Sequence, residues 1–363
     1  MIGFEVEISL LVVDGKGKSL PGESNLAQCP NYGMKIVSDR RQKNSNIEFV
    51  TEPVSVVGAG SGTGPGTLAA QLAAIKEMRD VLYAAKPGSF AAAIAKHGTA
   101  VEDGVTARII EFPAKYSPAE DDGSDGLFLH YSVGVPVRSL AGFFDLVRKI
   151  APYVPGRQNF LNRARFRMFQ AADFAAVVAK DFAANGASGR DSVQAMYAYA
   201  QLVYTQIAGI ADYTSEVDES GQVKNGTVAL GRTSFHEIYP MLPVDVRQYL
   251  AKSWDDESML DRIAKVQDET ETQGVTADFN EHVIRSVPGL PEHSLKDYLQ
   301  SALTGAPQVG QSTMYGKMTL IAPAQENNLD VIVFELRTVG SHYKTWNQVN
   351  GDLDTLVRWV QNA

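Results

Sequence analysis

The first residues alternate between apolar and polar. Phe4, Val6, Ile8 and Leu10 fall on one face and Glu5, Glu7 and Ser9 on the other, which is the two-residue period of a strand. Asp14-Gly15-Lys16-Gly17 marks a turn. NIEFVT, residues 46 to 51, predicts a second short strand, followed by a glycine-rich connector at 58–66. TLAAQLAAIKEMRDVLYAA predicts a helix from Thr67 to Ala85 with Thr67 as its N-cap. Residues 107 to 113 and 127 to 136 are strand-like, and between them lies the acidic loop PAEDDGSDG. From about Ser139 to Ile210 three helical segments succeed one another, and a polar loop spans 214–226. Shorter helices are predicted near 243–252, 255–267 and 295–303, then a strand at 331–339 and a closing helix from Asn347. The pattern contains no internal repeat. It predicts an α+β fold: an antiparallel sheet carrying the active site, helices on its other face, and a single domain over 1–363 with a mostly helical insertion at about 138–212.

Composition narrows the classes. Of the 363 residues, 44% are hydrophobic and 21% charged, as in an ordinary folded protein. The net charge of −9 argues against a dedicated nucleic-acid binder, which would carry a basic stripe. A nucleotide site stays open, because metal ions and a few Arg or Lys suffice for ATP. One cysteine, Cys29, excludes a disulfide within the chain and argues against a Cys-based zinc site. The opening segment has no basic n-region and is interrupted by glutamates, so it does not read as a signal peptide. No run of about 18 apolar residues predicts a membrane span. The expected site of action is cytoplasmic.

Three strands share an unusual feature, ionisable side chains set among apolar ones. Glu5 and Glu7 are two apart and point the same way. Glu335 and Arg337 repeat the spacing, with Ile332, Phe334 and Leu336 alongside, and Glu48 sits inside NIEFVT. Gathered carboxylates are costly to bury unless cations neutralise them. Divalent metals with oxygen ligands do so, and Mg²⁺ is the usual companion of nucleotide phosphates. His130, in LHYSV, offers a nitrogen ligand or a donor to a phosphoryl oxygen. Taken singly, each feature has a plainer explanation: a solvated sheet face, a satisfied core histidine, a surface ion pair. Their combination favours a site.

Further candidates surround this set. Arg108 and Glu111 lie on a neighbouring strand and face opposite sides if it is regular, so at most one points inward. Arg163, Arg165 and Arg167 form a basic cluster whose simplest reading is a solvated helix face. Arg232, His236 and Glu237 form a polar knot before a helix, with Arg232 a candidate nucleotide contact. VVGAGSGTGPGT has neither dinucleotide-binding nor P-loop spacing. Cys29 precedes Pro30 in a loop-like segment and has no evident His partner for nucleophilic catalysis.

These motifs resemble those of glutamate–cysteine ligases, which share an active-site plan with glutamine synthetases. IGFEVEIS resembles the family's opening strand, where a Glu-x-Glu pair binds metal. NIEFVTEP is similar to its Leu-Glu-Phe-Ile-Thr-Pro segment, with Glu52 inserted before Pro53. LFLHYSVGVP resembles its His-Tyr-Asn strand, with Ser132 in place of the Asn, and FELRTV its late Glu-x-Arg strand. The four occur in the family's order and cover about forty residues, leaving the helical middle unaligned. The resemblance implies that Glu5, Glu7, Glu48 and Glu335 are metal ligands; Glu111 is a further candidate from its place on the neighbouring strand. It implies that His130 contacts metal or ATP phosphate and that Arg337 faces the transferring phosphoryl group. It implies ATP and about two or three Mg²⁺ ions as cofactors.

The implied reaction joins a carboxylate donor to an amine acceptor through an acyl phosphate. The same plan occurs in bacterial amidoligases, and it is implied for the actin cross-linking domains of secreted toxins. Those domains join a glutamate on one protein to a lysine on another. A toxin-type module would act in a host cell as part of a larger effector, and a first strand beginning almost at Met1 suits such a cut-out domain. Three rivals remain open: a small-molecule γ-glutamyl ligase or amidoligase, a guanidino-kinase-like phosphotransferase, and a non-enzymatic interaction module.

Overall fold

The computed structural model describes residues 1–22, 24–41, 44–56, 66–100, 107–111, 127–151, 160–211, 229–255, 283–284, 293–307, 323–326, 329–337 and 344–362. The chain divides into two compact units, Met1–Val133 with Ser341–Asn362, and Gly134–Gly340. Both are α+β with antiparallel strand pairs, so the coarse class expected from the sequence holds.

The first unit is a sheet with helices. Its strands are β1 (Ile2–Val13), β2 (Ser24–Cys29), β3 (Met34–Arg41), β4 (Asn44–Thr51), β5 (Gly88–Ser89), β6 (Thr99–Ala100), β7 (Arg108–Glu111) and β8, which begins at Phe128 and runs to Pro136. The order is β8-β1-β4-β3-β2-β6, and β7 pairs with both β1 and β5. Strand β1 is central. One edge takes β4, and the other takes β8 along residues 2–7 and then β7 along residues 10–13. The alternation seen in sequence sends Phe4, Val6 and Ile8 into the core with Ile36, Ile47, Phe49, Leu129, Tyr131 and Val133, all fully or almost fully buried.

Three helices complete this unit: α1 (Leu68–Ala84), α2 (Phe90–Ile94) and, after the second unit, a helix over Trp346–Asn362. Thr67 caps α1 as predicted, its hydroxyl accepting the Ala70 N–H at 3.2 Å. Helix α1 contacts β1 and is tied to the sheet end by Gln71, whose amide donates to the Glu52 carbonyl at 3.2 Å. The C-terminal helix begins with a reciprocal cap, in which the Thr345 N–H donates to Gln348 Oε1 and the Gln348 N–H to Thr345 Oγ1.

One expectation needs correction. The segment around Cys29 is not a loop. Cys29 ends strand β2, is fully buried, and its thiol is pushed up to about 11 by burial. Its strand is hard to read because a register shift between Asn25 and Ala27 breaks the two-residue period. His236 and Glu237 precede a helix as expected, the one over Val244–Asp255. They lie in a one-turn helix whose Ser234 cap and Glu237 carboxylate form a capping box.

The second unit is dominated by helices: α3 (Leu140–Ile150), α4 (Phe160–Asn185), α5 (Arg190–Ala211), α6 (Phe235–Ile238), α7 (Val244–Asp255) and α8 (Leu295–Thr304). In chain order the C-terminal helix of the first unit is therefore α9. Short strands β9 (Ala229–Gly231), β10 (Val283–Ile284), β11 (His293–Ser294) and β12 (Ala324–Glu326) accompany β13 (Leu329–Arg337). Helices α4 and α5 pack together, with Phe174 against Tyr204 at 5.1 Å between ring centres. Phe143 of α3 lies tilted against Phe334 of β13 at 4.6 Å between ring centres, and Phe144 meets the same ring edge-on at 5.9 Å. The Tyr199 hydroxyl of α5 donates to the Ala302 carbonyl of α8 at 2.6 Å. No helix among the described residues is long and apolar enough to cross a membrane. The helix expected at 255–267, the loops at 58–66 and 214–226, and the strand end at 338–339 lie wholly or almost wholly outside the described residues.

Candidate metal site

Register places the acidic residues of the first unit side by side. In antiparallel pairs, residues directly opposite share a face. Glu5 is opposite His130 on β8 and Val50 on β4, while Glu7 is opposite Phe128 and Glu48. Glu48 is in turn opposite Val37 on β3. Glu5, Glu7, Glu48 and His130 thus occupy one face of three adjacent strands, the face away from Phe4, Val6 and Tyr131.

Glu5, Glu48 and His130 each offer a ligand atom, and these atoms all lie within 4.8 Å of one another. His130 Nδ1 is 3.5 Å from Glu5 Oε2. The imidazole is nearly buried and the Glu5 carboxylate about 29% exposed, so the group opens to solvent at one side. Phe128 meets the His130 ring edge-on at 4.9 Å and fixes its tilt. Glu7 is almost fully buried, stands beside this trio, and accepts the Asn46 amide on Oε2 at 2.8 Å.

Two carboxylates and an imidazole fit a divalent cation. The carboxylates suit Mg²⁺, and the nitrogen extends the range to Mn²⁺ and its neighbours. Held by these three donors, such an ion would keep positions for water and for phosphate oxygens.

The second unit holds the other candidates. Glu335 is almost fully buried and opposite Leu230 of β9. The Arg232 guanidinium donates to its Oε2, and the Arg232 N–H donates to the Val333 carbonyl at 2.8 Å. The strand and its arginine are further secured by Thr233, whose hydroxyl accepts the Val333 N–H at 3.0 Å. Arg232, a candidate nucleotide contact in the sequence, is the ion-pair partner of Glu335. Arg337 and Glu111 lie on the backbones of β13 and β7, but their side chains fall outside the described residues. So do those of Arg163 and Arg167, while Arg165 is half-buried and Arg108 exposed.

Asn46 went unnoticed in the sequence because a neutral amide in NSNIEF looks like turn chemistry. The usable signal was its spacing of two before Glu48 on a strand, which puts both side chains on one face. No protein-family model, curated protein or solved structure matches this chain.

Proposed function

We propose that the chain is an ATP- and Mg²⁺-dependent ligase that joins a carboxylate to an amine through an acyl phosphate. The observation that carries the reading is the convergence of Glu5, Glu48 and His130 ligand atoms within 4.8 Å on one sheet face. Two carboxylates brought this close beside an imidazole nitrogen form a donor set that suits a divalent cation.

A bound divalent ion would draw nucleotide phosphate oxygens to this face and neutralise charge as the phosphoryl group moves. Glu5 and Glu48 hold that position from two strands, and His130 completes the donor set from a third. A substrate carboxylate oxygen attacks the γ-phosphorus of ATP, and ADP leaves. An amine nitrogen then attacks the acyl carbon, phosphate departs with the bonding pair, and the amine's proton is lost to solvent or a nearby base. Phosphorylation supplies the leaving group that a carboxylate lacks.

The roles of Glu335 and Arg337 rest on the sequence resemblance alone. So does the finer reading, an effector that links a glutamate of one actin molecule to a lysine of another inside a host cell.

The test is direct. Incubate the protein with ATP, Mg²⁺ and a cell lysate or purified actin, and measure phosphate release and new high-mass protein bands. The expected result is a ladder that disappears with Glu5→Ala or Glu48→Ala, with a rate loss of about 10²-fold or more. Phosphate release dependent on small amino acids, without a ladder, would favour the small-molecule ligase. A stable phosphorylated product would favour the guanidino-kinase reading. Full activity in both variants would remove the proposal.

A further inference from the structure

We infer that Asn46 is a positioning residue that holds the Glu7 carboxylate in the acidic row beside Glu5, Glu48 and His130. This rests on the proposed cation-binding role of that row. Glu7 is the most buried of its three glutamates, only 5% exposed, and yet it stands outside the group of three converging ligand atoms. Its Oε2 accepts the Nδ2 amide of Asn46 at 2.8 Å across the β1–β4 interface. Asn46 is itself 2% exposed, and its Oδ1 has no hydrogen-bond partner.

The geometry explains why the residue at this position should be an amide. Asn46 precedes Glu48 by two on β4 and shares its face. An aspartate here would add a further negative charge to an already acidic row. A leucine of similar size would remove this donor from the Glu7 carboxylate. Only a neutral donor both restrains Glu7 and leaves the charge of the row unchanged. Its cost is visible in the structure, because a buried amide oxygen without a donor is unfavourable. A side chain kept at such a cost for packing alone would be better replaced by an apolar one. The bond to Glu7 is what the amide supplies that an apolar side chain cannot. Residues that orient ligands in this way commonly matter to metal affinity by about 10–100-fold.

The experiment compares Mn²⁺ binding, by calorimetry, in the wild-type chain and in Asn46→Leu, Asn46→Asp and the double variant Glu7→Gln with Asn46→Asp. Thermal melting is followed in parallel. The double variant reverses the hydrogen bond while preserving net charge: the amide introduced on β1 donates and the carboxylate introduced on β4 accepts. The expected result is Mn²⁺ binding about 10–100-fold weaker in Asn46→Leu. The swap should recover the melting temperature lost in Asn46→Asp but not wild-type affinity, because the carboxylate then hangs from β4 instead of β1. A purely structural Asn46 would give full recovery of both. Wild-type-like affinity in Asn46→Leu, or in the swap, would overturn the inference while leaving the cation site standing. Absence of Mn²⁺ binding by the wild-type chain would overturn the cation site and the inference with it. Should Asn46→Leu not fold, the two aspartate-bearing variants carry the comparison.

Discussion

Cys29 shows how far a single residue can escape its sequence context. Beside Pro30 it reads as a loop thiol, but it is fully buried at the end of β2, and a Cβ added at Gly98 would lie 2.6 Å from its sulfur. Burial pushes its thiol from an ordinary value near 9 up to about 11. The sign of the pH dependence follows. Above about 9 the unfolded chain releases this proton and the folded chain keeps it, so stability falls as pH rises from about 9 to about 11. The loss is on the order of 2–3 kcal/mol. Tyr131, raised by its own burial and by Asp352, adds to the same alkaline slope. The contribution of the thiol is therefore read as a difference: urea midpoints of Cys29→Ala should decline less steeply than those of wild type across that range. An unchanged slope would show the thiol to be ordinary, and the native chain should also resist alkylation at neutral pH. By contrast Glu5, Glu7, Glu48 and His130 stood out in the sequence because charge among β-branched and aromatic neighbours is rare. Asn46 and the Arg232–Glu335 pair did not, since neither an amide near a turn nor an ion pair 103 positions apart leaves a local pattern.

Strand β8 carries His130 on one face and Tyr131 on the other, so whatever fixes Tyr131 also fixes the strand beneath the candidate site. The Tyr131 hydroxyl donates to Asp352 Oδ2 of helix α9 at 2.9 Å, and the buried ammonium of Lys344 donates to the same oxygen. The Lys344 N–H also donates to the Leu127 carbonyl at 2.9 Å, just before β8 begins. One carboxylate thus joins strand, connector and helix. Asp352→Ala would leave a buried ammonium and a buried hydroxyl without it, a loss of about 3–5 kcal/mol. Replacing all three by apolar residues of similar size, Tyr131→Phe with Lys344→Met and Asp352→Leu, should cost much less, because no uncompensated charge remains. Denaturation with urea measures both, and an Asp352→Ala loss no larger than that of the triple variant would dismiss the network. The long elements β1, β8, α1 and the α3–α5 stretch were legible because each holds one period over much of its length, in β1 from Ile2 to Leu10. Strand β3 was not: Lys35, Asp39, Arg40 and Arg41 break its apolar run, although Ile36 and Val37 are buried.

At the scale of the whole chain, a cation bound to the first unit must stabilise the elements that hold it. A ligand present at about a hundred times its Kd adds about 2.7 kcal/mol to the stability of the state that binds it. Glu5, Glu48 and His130 reach the site from β1, β4 and β8, three adjacent strands of one hydrogen-bonded sheet. Saturating Mn²⁺ or Mg²⁺ should therefore slow amide hydrogen exchange in β1, β4 and β8, with helices α4 and α5 of the second unit as the internal reference. Glu48→Gln should abolish the effect. Protection of β13 is the more informative readout. Slower exchange there on adding cation and nucleotide would make Glu335 part of the response, as the sequence resemblance implies. Protection confined to β1, β4 and β8 would instead leave Glu335 to its pairing with Arg232 and reduce the ligand set to the three residues that converge on the polar sheet face.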